Sequence, residues 1–247
     1  MNEAEIKEKS ITILENLVTI PYSEIFQISP AQRDLLNLHM QAQNLVEPLI
    51  ALMFSSIMLG NKNQAKEYAN KAWNIGGQLT SNIEMLYVDS LINIGEFEKA
   101  KIILQTKMEN LEENLNNYFN AVVKYSLYTG ELYILENLAQ NPKIYITEPP
   151  LFNFAKKYAS GLSNKHYCTM LKIIYDVLRD NLCAVEYMNH PKGLQMCLYT
   201  SLNTENNLNV QHTILDKIKG YYISMQENYH QDVFVRLENV NLHPSWW

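Results

Sequence analysis

Between residues 46 and 140 the apolar positions fall into stretches of helical period, and three of these stretches end at a glycine. Gly60, Gly95 and Gly130 lie 35 residues apart, twice over. The same offset carries the apolar positions with it. Met53, Val88 and Val123 stand seven residues before the glycines, and Ile57, Ile92 and Leu127 stand three before. Ala65, Ala100 and Leu135 follow five residues after. The other five of the eight glycines fall outside this register, so abundance does not force it. Self-similarity at such a period predicts stacked supersecondary units. Each unit reads as a helical hairpin. The glycine ends the first helix in a left-handed conformation that other residues reach at a steric cost. A small residue in the second helix lets the two axes approach. Neither helix can bury its apolar stripe alone, so the hairpins must stack.

The turn Gly95-Glu96-Phe97-Glu98-Lys99-Ala100, together with the small residues Ala65 and Ala72 seven apart, resembles the tetratricopeptide repeat over about 46–140. The family's early tryptophan is replaced by Leu49, Glu84 and Phe119, and its closing proline is missing in every repeat. Lys107 and Leu135 stand where small residues are usual. The resemblance implies an αα-hairpin solenoid whose first helices line an inner groove for protein or peptide ligands. An unrelated α-hairpin array is the alternative.

Two further helical stretches precede the repeats. Residues 3–18 carry Ile6, Ile11, Leu14 and Leu17, with Pro21 as the stop. Residues 31–44 follow Ser29 as N-cap and Pro30 at the first helical position. They are expected to cap the first repeat. A boundary is expected near 145–150, at Pro142, Pro149 and Pro150. Residues 1–144 hold 11 basic and 17 acidic side chains, and 145–247 hold nine of each. Beyond the boundary, 151–160 and 165–179 read as helices separated by Gly161, a degenerate fourth hairpin. After Asn181 the period becomes two. Residues 183–188 and 194–202 read as strands around the turn Asn189-His190-Pro191-Lys192-Gly193, 209–228 as a helix and 232–240 as a strand. The expected fold is therefore mainly α: a repeat domain over 1–145, then a module over 146–247 that is helical at 151–180 and β-β-α-β at 183–247.

Composition narrows the class. Hydrophobic residues are 47% and charged residues 19%, which excludes a disordered tail. A net charge of −6 argues against a dedicated nucleic-acid protein, since phosphate neutralisation needs a basic surface. The most apolar segment, residues 49–60, is too short to span a bilayer, which takes ~20 residues. The acidic start lacks the features of a secretory signal. Together with three cysteines, an odd number, this points to reduced thiols and a cytoplasmic location.

Chemistry candidates are sparse. His166, Cys168, Cys183, His190 and Cys197 include no C-x-x-C or H-x-x-x-H pair, so no metal is expected. His212 with Asp216, and His230 with Asp232, could pair, but no G-x-S-x-G nucleophile motif accompanies them. No phosphate-cradling glycine loop occurs, so no cofactor is expected. The 35-residue register assigns Phe54, Met58, Asn82, Asp89, Asn93, Asn117, Asn120, Lys124 and Tyr128 to the inner groove. Asparagine can donate to and accept from an extended peptide backbone. It is also abundant here, 28 of 247, so solvated polar positions are the competing reading. The sequence thus points to a non-enzymatic protein- or peptide-binding scaffold, with self-association open. The alternatives are a dedicated chaperone or neutralising partner of one protein, and an enzyme with its site in the C-terminal module.

Overall fold

All three register glycines take the left-handed conformation, with φ of 71° at Gly60, 82° at Gly95 and 78° at Gly130. At the first two turns the chain makes the same pair of bonds. Gly60 N–H donates to Ile57 O and Asn61 N–H to Ser56 O; Gly95 N–H donates to Ile92 O and Glu96 N–H to Leu91 O. These are the paired bonds of a Schellman ending, and they satisfy carbonyls the helix leaves open. At the third turn Gly130 N–H donates to Ser126 O alone, the simpler left-handed ending. The computed structural model describes residues 1–20, 26–109, 111–139, 149–158, 161–190, 193–225 and 233–239.

Eight helices form the first part: α1 (Glu3–Thr19), α2 (Ile28–Gln41), α3 (Glu47–Met58), α4 (Lys62–Ile75), α5 (Ser81–Ile94), α6 (Phe97–Glu109), α7 (Leu111–Thr129) and α8 (Tyr133–Ala139). Their packing repeats. The first helices of successive hairpins touch one another, α1 on α3, α3 on α5 and α5 on α7. Each second helix touches the next first helix, α2 on α3, α4 on α5 and α6 on α7. The α1–α2 hairpin thus packs as another unit of the same array. Ala65, Ala100 and Leu135 are fully buried where the hairpin helices meet. Helix α3 is buried at every residue from Glu47 to Met58, which fits its nearly unbroken apolar sequence. Its one carboxylate, on Glu47, meets Lys7 of α1 at 2.8 Å.

The second part contains α9 (Pro149–Tyr158), α10 (Gly161–Leu178), a 3-10 turn at Arg179–Asn181, β1 (Leu182–His190), β2 (Gly193–Thr200), α11 (Thr204–Ser224) and β3 (Val233–Asn239). The β-β-α-β order is as expected. The sheet order is β1-β2-β3, with β1 and β2 antiparallel and β2 and β3 parallel, joined through α11. Alternation in β2 suggests one polar face, but Met196, Cys197, Leu198, Tyr199 and Thr200 are all buried. β2 is the central strand and is covered on both faces.

Several boundaries differ from those expected. Helix α2 starts at Ile28, whose fully buried side chain belongs to the core, so Ser29 is not the N-cap. Pro30 still lies in the first turn, where its missing N–H has no intrahelical acceptor. Helix α11 starts five residues early, because Asn203 accepts from Asn206 N–H and caps it there. That leaves β2 ending at Thr200 rather than at 202. Helix α10 begins at Gly161 (φ 65°) rather than at 165. The expected stop at Pro21, the prolines at 142 and 191, residues 143–147 and His230 with Asp232 lie outside the described residues. Among the described residues, no helix is long and apolar enough to cross a membrane.

Candidate functional site

Helices α5 and α7 lie side by side in the same direction, and register-equivalent residues meet across them. Lys124 Nζ donates to both oxygens of Asp89, at 2.7 and 2.8 Å. Tyr128 OH lies 3.4 Å from Asn93 Oδ1. Asn93 Nδ2 donates to Asp89 Oδ2 at 3.2 Å, so the four side chains form one network. At the other end of the two helices Tyr118 OH donates to Glu84. Lys107 of α6 pairs with that carboxylate at 2.7 Å. Burial and the Glu84 bond push the Tyr118 hydroxyl well above its ordinary pKa. Repeat geometry explains the pairing: an identical offset along neighbouring first helices brings equivalent side chains level.

Eight of the nine register residues divide into two groups. Phe54 and Met58 are 1% and 0% exposed and belong to the enclosed α3, so they do not line an open groove. Asn93 and Tyr128 are 4% and 1% exposed. Tyr128 is covered by the chain's own second part, since its hydroxyl also lies 3.4 Å from Val185 O in β1. Asp89 is 8% exposed. Asn82 and Asn120 are exposed, and Lys124 is partly exposed. Asn117 lies on α7, and its side chain is outside the described ones. One end of the predicted groove is thus filled by the protein itself, and the other end is open.

The cover is built by tyrosines. Tyr167 OH of α10 donates to Leu127 O and Tyr175 OH to Tyr128 O, both at 2.7 Å. These carbonyls belong to the last turn of α7, which has no intrahelical donors for them. Asn164 Nδ2 donates to Gly130 O at 2.9 Å. Phe97, Tyr128, Tyr175 and Tyr187 gather at centroid separations of 6.0–6.5 Å. Sequence reading missed this cluster, because its members come from α6, α7, α10 and β1.

A second group missed by sequence reading surrounds Glu131. Its carboxylate accepts from Lys101 at 2.9 and 3.0 Å, from Tyr125 at 2.9 Å and from Tyr133 at 3.0 Å. Burial opposes ionisation of Glu131, but the three donors and the Lys101 charge outweigh it and hold the carboxyl below its usual range. The hydrogen bond to Glu131, with the neighbouring charge, raises Lys101. The signal for this group is the acid after the turn glycine, present as Glu96 and again as Glu131. Lys101, Tyr125 and Tyr133 also edge a mostly apolar recess of about 320 Å³ between α6, α7 and α8.

The remaining candidates are dispersed. His166 Nδ1 is 3.1 Å from Tyr221 OH, and its ring stacks on Tyr222. Cys168 is half-buried beside Gly130, and burial pushes its thiol up. Cys197 is buried in β2. His212 and Asp216 are both exposed on α11. Among the described residues, no three His, Cys, Asp or Glu side chains come close enough to hold a metal ion. Comparison of the chain with protein-family models, with curated proteins and with solved structures finds no match.

Proposed function

We propose that this chain is a non-enzymatic scaffold that binds a protein or an extended peptide on the open end of its inner face. The observation that carries this reading is the set of polar side chains across α5 and α7. There the Asp89–Lys124 pair stands on the same pair of helices as the exposed amides of Asn82 and Asn120. Amides of this kind pair with a backbone whatever its side chains, and an ion pair shared between repeats fixes the spacing of the two helices. An odd number of cysteines, three, fits a cytoplasmic location.

The test uses the full chain as bait in a lysate of its own source, beside the doubly substituted Asn82→Ala, Asn120→Ala chain. The reading predicts that the unaltered chain captures a partner and that the variant loses most of it at an unchanged melting temperature. Equal capture by both contradicts it. One dominant partner would identify a dedicated chaperone or neutralising protein, and several would identify an adaptor.

A further inference from the structure

A second recess, of about 230 Å³, lies where the hairpin array meets the C-terminal part. Lys62 and Lys66 project into it from the start of α4, and Arg179 faces them from the 3-10 turn after α10. Phe97 and Tyr175 supply mostly buried rings with centroids 6.3 Å apart, and the buried Tyr128 closes the floor. None of the lining residues is acidic, in a chain whose net charge is −6. The charge of this recess is therefore opposite to that of the chain as a whole.

Arg179 is held there by unusual backbone. Its φ of 48° is the one positive value at a non-glycine residue among the described residues. Such a conformation is strained and persists only where its surroundings over-determine it. Lys62 Nζ donates to Arg179 O at 3.5 Å, and Arg179 Nε donates to Asp176 O at 3.3 Å. These bonds fix the turn and direct the guanidinium, which is exposed, with its two terminal nitrogens available to a ligand.

We propose that this recess binds a small oxyanion, a phosphate monoester or a carboxylate, carried on a flat apolar body. Lys66 and Arg179 grip the oxyanion with charge-assisted hydrogen bonds, and the planar fork of Arg179 sets its orientation. Lys62 adds positive potential from the same side. The flat body lies against Phe97 and Tyr175, whose hydroxyl is already engaged with Tyr128 O and whose ring offers an apolar surface. The volume is below the usual range for drug-sized ligands, so the ligand is a small one. The recess adjoins the covered end of the inner face, where Asn93 and Tyr128 line both, and its ligand contacts do not use the open end.

The experiment is calorimetric titration of the full chain at low ionic strength with four probes: phenyl phosphate, benzoate, inorganic phosphate and phenol. Phenyl phosphate or benzoate should bind, and the tighter of the two names the oxyanion. Inorganic phosphate and phenol should each bind at least about tenfold more weakly, as each lacks one half of the ligand. Lys66→Met should weaken binding by about tenfold or more. Arg179→Gly should do the same while relieving the left-handed strain, so its loss of binding cannot be blamed on misfolding. Lys217→Met, exposed on α11, should change nothing. The proposal is overturned if neither aromatic anion binds at millimolar concentration, if inorganic phosphate binds as tightly as phenyl phosphate, or if Arg179→Gly and Lys66→Met bind like the unaltered chain.

Discussion

The turn after α5 and the turn after α7 occupy the same place in the 35-residue register and end in the same left-handed glycine, but their surroundings differ. A side chain added at Gly95 would meet nothing within 4 Å. One added at Gly130 would come to 2.6 Å from Cys168 Sγ, with Leu171 and Tyr167 close behind. At Gly95 the turn glycine serves backbone conformation alone. At the last turn it also makes room for α10, which packs against α7 and supplies donors to its final carbonyls. The repeat thus stops where its turn is taken over by a contact the earlier repeats do not make. The C-terminal part is held on by this junction and by contacts of α9 with α8, β1 with α5 and the 3-10 turn with α4, whereas the array is held by contacts that recur every 35 residues.

The largest effect should separate these two turns. Gly95→Ala should cost about 1 kcal/mol from its positive φ. Gly130→Ala should cost about 2–3 kcal/mol, because crowding against Cys168 adds to the same strain. Adding Cys168→Ala to Gly130→Ala should recover most of the difference, as neighbouring changes couple. Denaturant unfolding of the four chains measures this, and equal costs at the two glycines would erase the distinction. Next comes the charge that bridges repeats. Lys124→Met strands the largely buried Asp89 carboxylate and should cost about 2 kcal/mol. Arg236→Met, which breaks the β3 pair of exposed Arg236 with partly buried Glu238, should cost under about 0.5 kcal/mol. A reversed order would mean that the inner-face network does not hold the repeats together.

A smaller effect than that of Lys124 concerns Glu131 and depends on pH. Its folded-state pKa is lowered, so the stability it adds is present above the usual carboxylate range. That stability fades as pH falls through the lowered value. Discounting for solvent screening, Glu131→Gln should cost about 1 kcal/mol at neutral pH. The gap between the two chains should close in acid, below about pH 4. A gap that does not change with pH would show that the Lys101–Tyr125–Tyr133 arrangement does not depend on the charge of Glu131.

Much of the array could be read from single residues. The glycines at 60, 95 and 130 mark the turns because a positive φ selects glycine, and Ala65 and Ala100 mark close helix contacts because volume is limiting there. The enclosure of Phe54 and Met58 was also signalled, since α3 is apolar on all sides and no such helix can present an open face. Register alone assigned them to a groove, because it compares equivalent positions and ignores what covers them. The contact of β1 with Tyr128 of α7 had no local signal. Tyr128 and Val185 are 57 positions apart, and a tyrosine hydroxyl meeting a strand carbonyl leaves no pattern in either segment. The Glu131 group was half visible: the repeated acid after the glycine was in the sequence, but its three donors come from α6, α7 and α8.

The inner face of the array has a covered end and an open end. Thiol labelling of the full chain, read peptide by peptide in mass spectrometry, tests it most directly. Cysteine is placed singly at Asn82, Asn120, Asn93 and Met58. The account predicts that Asn82→Cys and Asn120→Cys react at the rate of an exposed thiol. Asn93→Cys and Met58→Cys should react at least about a hundredfold more slowly, because labelling there waits for local opening. If Asn93→Cys is labelled as fast as Asn82→Cys, then β1 does not cover that end of the face and the division of the groove is wrong.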